Sequence, residues 1–290
     1  MDRNGPEFRV EKPKFTDRIR GMLMWKHIRR ILMIFLAVVM LFCGSTIAVV
    51  QHQYNVAKRL YRAASTEFTA PTAGRTSQEK KKLEDDGIER LEIDAPIKVD
   101  FAKLLEVNPD VVGWIYCPDT VIDYPVVHGA DNDLYLHHSY DRTYNASGSI
   151  FVDARNLRDF SGPDSILYGH HMASGSMFAG LSNWQVQEYF EKHPVMWLLT
   201  PTQDYRVDLF SAYNTSAYSD SYTFFYEWGP EFTDYLNRVE SYSGIHIDEP
   251  LDPYGKYVML STCAYMFEDA RSVLHGWLRP VMSAGGIPFE

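Results

Sequence analysis

Two hydrophobic patterns divide the chain. From residue 31 to residue 50 it reads ILMIFLAVVMLFCGSTIAVV, a run with no charged position. At a helical rise of ~1.5 Å per residue such a run covers about 30 Å, the thickness of a bilayer's hydrocarbon, and predicts one membrane-spanning helix. A cleaved signal peptide has an apolar core of only ~7–15 residues followed by a small-residue cleavage site. Here the run continues into QHQYNVAKRLYR, which predicts an uncleaved N-terminal anchor. The segment VAKRLYRAASTEF extends the helical pattern beyond the span. TAPTAGRTSQEKKKLEDDG is rich in small and charged residues and predicts a linker running into a short solvated helix. FAKLLEVNP predicts one more short helix, ended by Pro109.

From Val111 the pattern shortens to β-type runs separated by turn residues: VVGWIYCP, VIDYPVVHG, GSIFVDA, SILYGHH, VMWLLTP, YRVDLFSAYN, YVMLSTC and SVLHGWLRPVM. Eight such strands in one domain predict a mainly β fold, a closed or nearly closed barrel with peripheral helices. Three segments interrupt it: DNDLYLHHSY, FAGLSNWQVQEYFEKH and PEFTDYLNRVESY. In the second, Phe178, Leu181, Trp184 and Phe190 recur near helical spacing, which predicts a packing face. The resulting organisation is a basic tail at 1–30, an anchor at 31–50, a juxtamembrane helix and linker at 51–100, and a large domain at 101–290. No internal repeat and no Gly-rich phosphate loop occurs.

Charge adds an orientation. Residues 16–30 carry five Lys/Arg and residues 51–65 carry three, which favours an N-terminus on the cytoplasmic side. Residues 1–30 hold nine Lys/Arg against four Asp/Glu, a net +5, so the rest of a chain at −10 carries −15. An acidic domain on the outer side of the membrane is a poor partner for nucleic acid, which needs a basic face.

Three cysteines are present, and Cys43 lies in the span. Cys117, just before a proline, fits a small buried hydrophobe at a strand end. It could pair with Cys263, but Cys263 is taken as a free thiol. That cysteine ends an apolar run, and Arg271 begins the next, so the two face each other across a turn. A cation beside a thiol favours thiolate and can also hold a developing oxyanion. In SILYGHHMASGSMF a strand rises into Gly169 and offers His170 and His171, of which at most one can look into a given site. The scattered histidine pairs do not supply three or four ligands at zinc spacing, so no metal is expected.

These features together resemble a known family, the sortases, and within it class B. The likeness covers roughly residues 101–280 and is carried by NPDVVGWIYCPDTVIDYPVV, DNDLYLHH, GSIFVD, LYGHHM, and LSTC followed by Arg271. It implies an eight-stranded sortase barrel with N-terminal helices packed on it and a long helix between the sixth and seventh strands. It also implies that Cys263 is the nucleophile at the end of strand seven, that Arg271 begins strand eight, and that His170 ends strand four with His171 facing away. Ser261, Asn132 and Leu136 match family positions that contact the sorting peptide. The family often has Thr-Leu-x-Thr-Cys, whereas here Met259 precedes Leu260.

The resemblance implies a membrane-anchored, cofactor-free cysteine transpeptidase of a Gram-positive cell surface. Its partners are surface proteins with a C-terminal sorting signal, of Asn-Pro-x-Thr-Asn or Pro-x-Thr-Gly type, and an amine of a lipid-linked peptidoglycan precursor or cross-bridge. The residue types suit that chemistry. A cysteine thioester forms without alkoxide chemistry and stays open to aminolysis. Histidine titrates near neutrality and can exchange the amine proton in both directions, while arginine keeps its charge throughout. Two other expectations stand beside this one: a pilus-polymerising enzyme whose acceptor is a pilin lysine, and an anchored, catalytically silent binding module.

Overall fold

A computed structural model of the chain describes residues 15–72, 81–83, 89–263 and 269–282. The apolar run lies in one long helix, α1 (Phe15–Phe68). Among the described residues it is the one helix long and apolar enough to cross a membrane, by length and composition, and none of its apolar window is buried. The chain divides into two compact units, Met1–His52 and Gln53–Glu290. The division falls inside α1, just past the predicted span.

In the second unit the last turns of α1 are amphipathic. Ala57, Tyr61, Ala64 and Phe68 recur at helical spacing and are all buried. The Tyr61 ring meets Tyr124 edge-on at 5.3 Å between centroids. Its hydroxyl donates to the Gly148 carbonyl, and Ser65 Oγ donates to Asp123 Oδ2. The short strands Thr69–Pro71 and Ile97–Val99 then pair with each other. They lead into α2 (Phe101–Val107), where the Asp100 carboxylate accepts from Lys103 N at 3.2 Å as an N-cap.

The barrel strands are β1 (Val111–Tyr116), β2 (Asp123–Val127), β3 (Ile150–Val152), β4 (Asp164–Tyr168), β5 (Val195–Leu199), β6 (Tyr205–Ser216), β7 (Lys256–Cys263) and β8 (Ala270–Met282). Their order is β6-β5-β1-β2-β3-β4-β7-β8, and β8 pairs back onto β6. That closing ladder runs from Tyr205↔Pro280 to Ser216↔Ala270, with a bulge between Leu209 and Ser211. Closure removes the open edges that a flat sheet would expose. Two neighbours in the ring are parallel, β2 with β3 and β4 with β7.

The predicted interruptions are present in modified form. DNDLYLHHSY contains a single 3-10 turn, Leu134–Leu136. The second holds a 3-10 helix, Leu181–Gln185, and α3 (Gln187–Lys192); Phe178, Leu181, Trp184 and Phe190 are all buried, as their spacing predicts. The third is α4 (Pro230–Ser241), with proline in its first turn. Its Phe232, Tyr235, Leu236 and Val239 form one face and cover the outside of the barrel at Ile166, Phe210, Tyr213, Met259 and Val273. β7 is therefore buried on both sides: Val258 and Leu260 join the interior with Leu274, while Tyr257 and Met259 lie under α4. Full burial of each such side chain contributes about 1.5–3 kcal/mol.

One expectation needs correction. The charged run after the linker predicts a solvated helix, yet Lys81–Leu83 is a strand paired with Glu89–Glu92, which continues in parallel onto β8 through Val281↔Leu91. Helix propensity is a weak prior, and here the burial of Leu91 and the hydrogen bonds offered by β8 override it. The rest of that segment, residues 73–80 and 84–88, lies outside the described residues.

If the end of α1 belongs to the barrel, it should matter to stability. A fragment beginning at Gln53 is expected to unfold cooperatively. One beginning at Thr69 lacks Tyr61, Ala64 and Phe68 and should lose at least ~3 kcal/mol, the cost of deleting one buried aromatic side chain. Urea unfolding of both measures this, and equal midpoints would show that the segment is dispensable.

Candidate active site

Backbone pairing sets the frame of the site. β7 lies between β4 and β8. Cys263, its last residue, is level with Arg271 in the antiparallel β7–β8 ladder. On the other side Ser261 is level with Tyr168 in the parallel β4–β7 ladder, and Gly169 N donates to Ser261 O at 3.1 Å, carrying that ladder one step further. Parallel strands advance together, so two residues on from Tyr168 and Ser261 are His170 and Cys263. Cys263 and Arg271 thus lie level at the end of one strand and the start of the next, and His170 follows β4 two residues past its last paired residue, Tyr168. The strand period of two places Ser261 on the same face of β7 as Met259, the outer one that α4 covers. The side chain of Cys263 itself lies outside the described part of the structure.

The glycine before His170 is needed for close approach. A Cβ at Gly169 would lie 2.5 Å from Ile150 Cδ1 and 2.7 Å from the Phe178 ring. His170 is half-buried, and its Nε2 lies 2.7 Å from Leu136 O. A carbonyl only accepts, so Nε2 carries a proton and Nδ1 is the ring nitrogen left for proton transfer. The partner that fixes this ring is a main-chain oxygen. His171 enters the next loop, in an isolated bridge with Met177.

Arg271 is half-buried, and among the described residues its guanidinium donates to the carbonyl of Ala270 at 3.0 Å and pairs with no carboxylate. A cation with no counter-ion among the described residues, level with the cysteine, is suited to a transient oxyanion. Cys117 is a free, buried thiol, pushed up to about 11 by burial, with its Sγ 3.6 Å from Val195 O. Such a thiol stays protonated and unreactive at neutral pH.

Of the three candidate peptide-binding residues, Ser261 lies in the floor, buried, with Oγ 2.7 Å from Tyr222 Oη. Leu136 contributes its carbonyl to His170. The Asn132 amide is engaged at both ends: Nδ2 donates to Asp153 Oδ2 at 2.9 Å, and Oδ1 accepts from Ala154 N at 2.8 Å.

The sequence pattern alone does not single out this network around Asp153. Its side chain is fully buried and accepts from Arg155 Nε and Nη2, at 2.9 and 2.8 Å, and from Tyr168 Oη at 3.0 Å. Burial pushes its carboxyl up, but the Arg155 guanidinium and the amide donors outweigh that and hold it low. The Arg155 guanidinium in turn lies 3.8 Å over the Phe224 ring. Tyr222 and Phe224 belong to the aromatic loop between β6 and α4, which also carries Tyr218. The structure separates them: Tyr222 reaches β7, and Tyr218 is 84% exposed.

No family model matches the chain. It is similar to sortase B of Listeria monocytogenes, 35% identical over 191 residues that cover 64% of this chain and 76% of the relative. It is also similar to sortase B of Staphylococcus aureus, 32% identical over 176 residues, 61% of this chain and 70% of the relative. Among solved structures, sortase B from Bacillus anthracis in complex with AAEK1 superposes with a TM-score of 0.63 at 28% identity, covering 79% of this chain and 99% of that one. A Staphylococcus aureus sortase B–substrate complex gives 0.59 at 30% identity, covering 63% and 85%.

The groove wall is held by a group that titrates. Asp164 accepts from Phe225 N at 3.1 Å, and burial pushes its carboxyl up to about 7. An acid whose folded value is raised gives stability that is complete below its unfolded value of ~3.9 and is lost as pH rises through about 7. Asp164→Asn keeps an acceptor for Phe225 and removes the titration. Its unfolding midpoint should therefore vary less between pH 4 and pH 7.5 than that of the unsubstituted protein; parallel curves would show that Asp164 is ionised at no cost.

Proposed function

The chain belongs to the sortase B family of cysteine transpeptidases, and we propose that it cleaves the C-terminal sorting signal of a surface protein after its threonine and joins the new threonyl carboxyl to an amine of a cell-wall precursor. The observation that supports this is the pairing of β7 with both neighbours, which sets Cys263 level with Arg271 and brings alongside it the end of β4, from which His170 follows two residues on.

Each residue has one task. His170 takes the thiol proton of Cys263 on Nδ1, the thiolate adds to the threonyl carbonyl, and Arg271 donates to the oxyanion that forms. As the tetrahedral adduct collapses the C–N bond breaks, and His170 passes a proton from Nδ1 to the leaving amine. A thioester remains. The incoming amine adds to it, returns a proton to His170, and the thiolate departs with a new amide formed. The Leu136 carbonyl keeps Nε2 of His170 turned from the reaction throughout. In the cell, α1 crosses the membrane once with the basic tail inside and the barrel outside, beside lipid-linked wall precursors.

Cys263→Ala should abolish cleavage, while Cys117→Ala, which removes a buried inert thiol, should retain most activity. Arg271→Lys keeps the charge but loses the planar fork, and a fall of at least about two orders of magnitude in kcat is expected, as for loss of an oxyanion donor. Near-normal turnover in the lysine variant would mean that only a diffuse positive field is needed.

Transfer and hydrolysis share the acyl-enzyme and differ in what resolves it. Titrating a wall-type amine against a fixed sorting peptide should divert product from threonyl acid to amide and raise total turnover. If hydrolysis dominates with every cross-bridge-like amine and turnover never rises, the protein is a hydrolase.

A further inference from the structure

The histidine is oriented by a loop carbonyl, so whatever holds that carbonyl acts on the chemistry. The loop from Leu134 to Ser149 folds back on itself. Leu134 O accepts from His138 Nδ1 at 2.8 Å, and Tyr135 O from Ser149 N at 2.9 Å. His137 O accepts from Asn145 N, and His138 O from Ser149 Oγ, both at 2.8 Å. Four of five successive carbonyls are thus tied within the loop, and the remaining one, Leu136 O, receives His170 Nε2.

Gly148 lies directly behind that carbonyl. Its φ is +55°, and a Cβ there would sit 2.6 Å from Leu136 O and 2.6 Å from Tyr135 O. No side chain fits without moving the Leu136 peptide, and the backbone conformation is itself unfavourable for other residues. The carbonyl of Gly148 is held by the hydroxyl of Tyr61, which is buried between Tyr124 and Tyr140. Tyr61 comes from α1, in the turns that follow the apolar span.

We propose that Gly148 is a positioning residue for His170, pinned by Tyr61, so that the helix following the membrane span helps to set which nitrogen of the histidine faces the reaction. The order of contacts is Tyr61 Oη to Gly148 O, the Gly148 backbone against the Leu136 peptide, and Leu136 O to His170 Nε2. Neither Tyr61 nor Gly148 touches substrate. Displacing the Leu136 oxygen frees the ring to rotate or to change tautomer, while the floor of the groove, Ser261 and Tyr222, is untouched. The effect should therefore fall mainly on kcat, because a small misplacement of a catalytic group can cost ~100-fold.

The proposal rests on the catalytic role of His170, so one readout must not depend on activity. The full chain, labelled with 15N-histidine and held in detergent micelles, reports each ring's tautomer by long-range 1H–15N NMR, and loss of a signal in His170→Gln assigns it. The unsubstituted protein should show the Nε2–H form. Gly148→Ala should populate both forms and lower kcat about 10- to 100-fold. Tyr61→Phe keeps the ring packing and removes only the hydroxyl; it should move both observables in the same direction, with kcat falling about 3- to 10-fold. A folded Gly148→Ala with an intact Nε2–H signal and normal kcat overturns the proposal. Should Gly148→Ala fail to fold, Tyr61→Phe decides, and a tautomer and kcat both unchanged in that variant overturn it equally. Retained transfer in His170→Ala would sink the catalytic assignment separately, leaving the tautomer result to stand on its own.

Discussion

β7 pairs with a strand on each side, parallel with β4 and antiparallel with β8, and the site exists only in the register at which it does so. Shifting β7 by one residue against either neighbour would turn Ser261 and position 263 to the interior and carry Leu260 to the groove. Both faces resist that slip. Val258 and Leu260 are held in the barrel core, and Tyr257 and Met259 under α4, so a shift would put side chains of different size and shape into both packed faces and carry Ser261 into the interior. The register is thus fixed by hydrophobic packing that involves none of the groups proposed to react.

Polar side chains then connect this rigid floor to the walls. Tyr222 reaches from the β6–α4 loop to Ser261, and Asp164, at the start of β4, receives Phe225 of the same loop. Asp153 gathers Asn132 from one wall, Tyr168 from the floor and Arg155, which lies over Phe224 of the other wall. A buried carboxylate is stable only when its oxygens are satisfied, and the residues that satisfy Asp153 come from three different segments. That requirement draws the loops together around the groove.

The same economy links the anchor helix to the barrel. Tyr61 and Ser65 each place a hydroxyl on a barrel acceptor while their helix face buries Ala57, Ala64 and Phe68.

Much of this was legible in the residues. The uncharged run from Ile31 to Val50 specifies a membrane-length helix, because a bilayer's thickness demands that length. The alternation in YVMLSTC and SVLHGWLRPVM specifies strands, and the juxtaposition of Cys263 with Arg271 follows from a hairpin between them. His170 was legible through the motif LYGHHM, and the packing face of Phe178, Leu181, Trp184 and Phe190 through its spacing. These are local patterns, set by periods of two or 3.6 residues. Tertiary structure decided what links distant parts of the chain. Lys81–Leu83 became a strand because β8 and the buried Leu91 offered pairing that no local propensity records. Tyr222 was separated from Tyr218 by its reach to Ser261, and Asp153 was joined to Asn132 and Arg155 by burial. The histidine's orienting group is a backbone carbonyl, which every residue carries, so no side-chain pattern can announce it; only the fold of the loop between Leu134 and Ser149, closed over Gly148 and held by Tyr61, selects that oxygen.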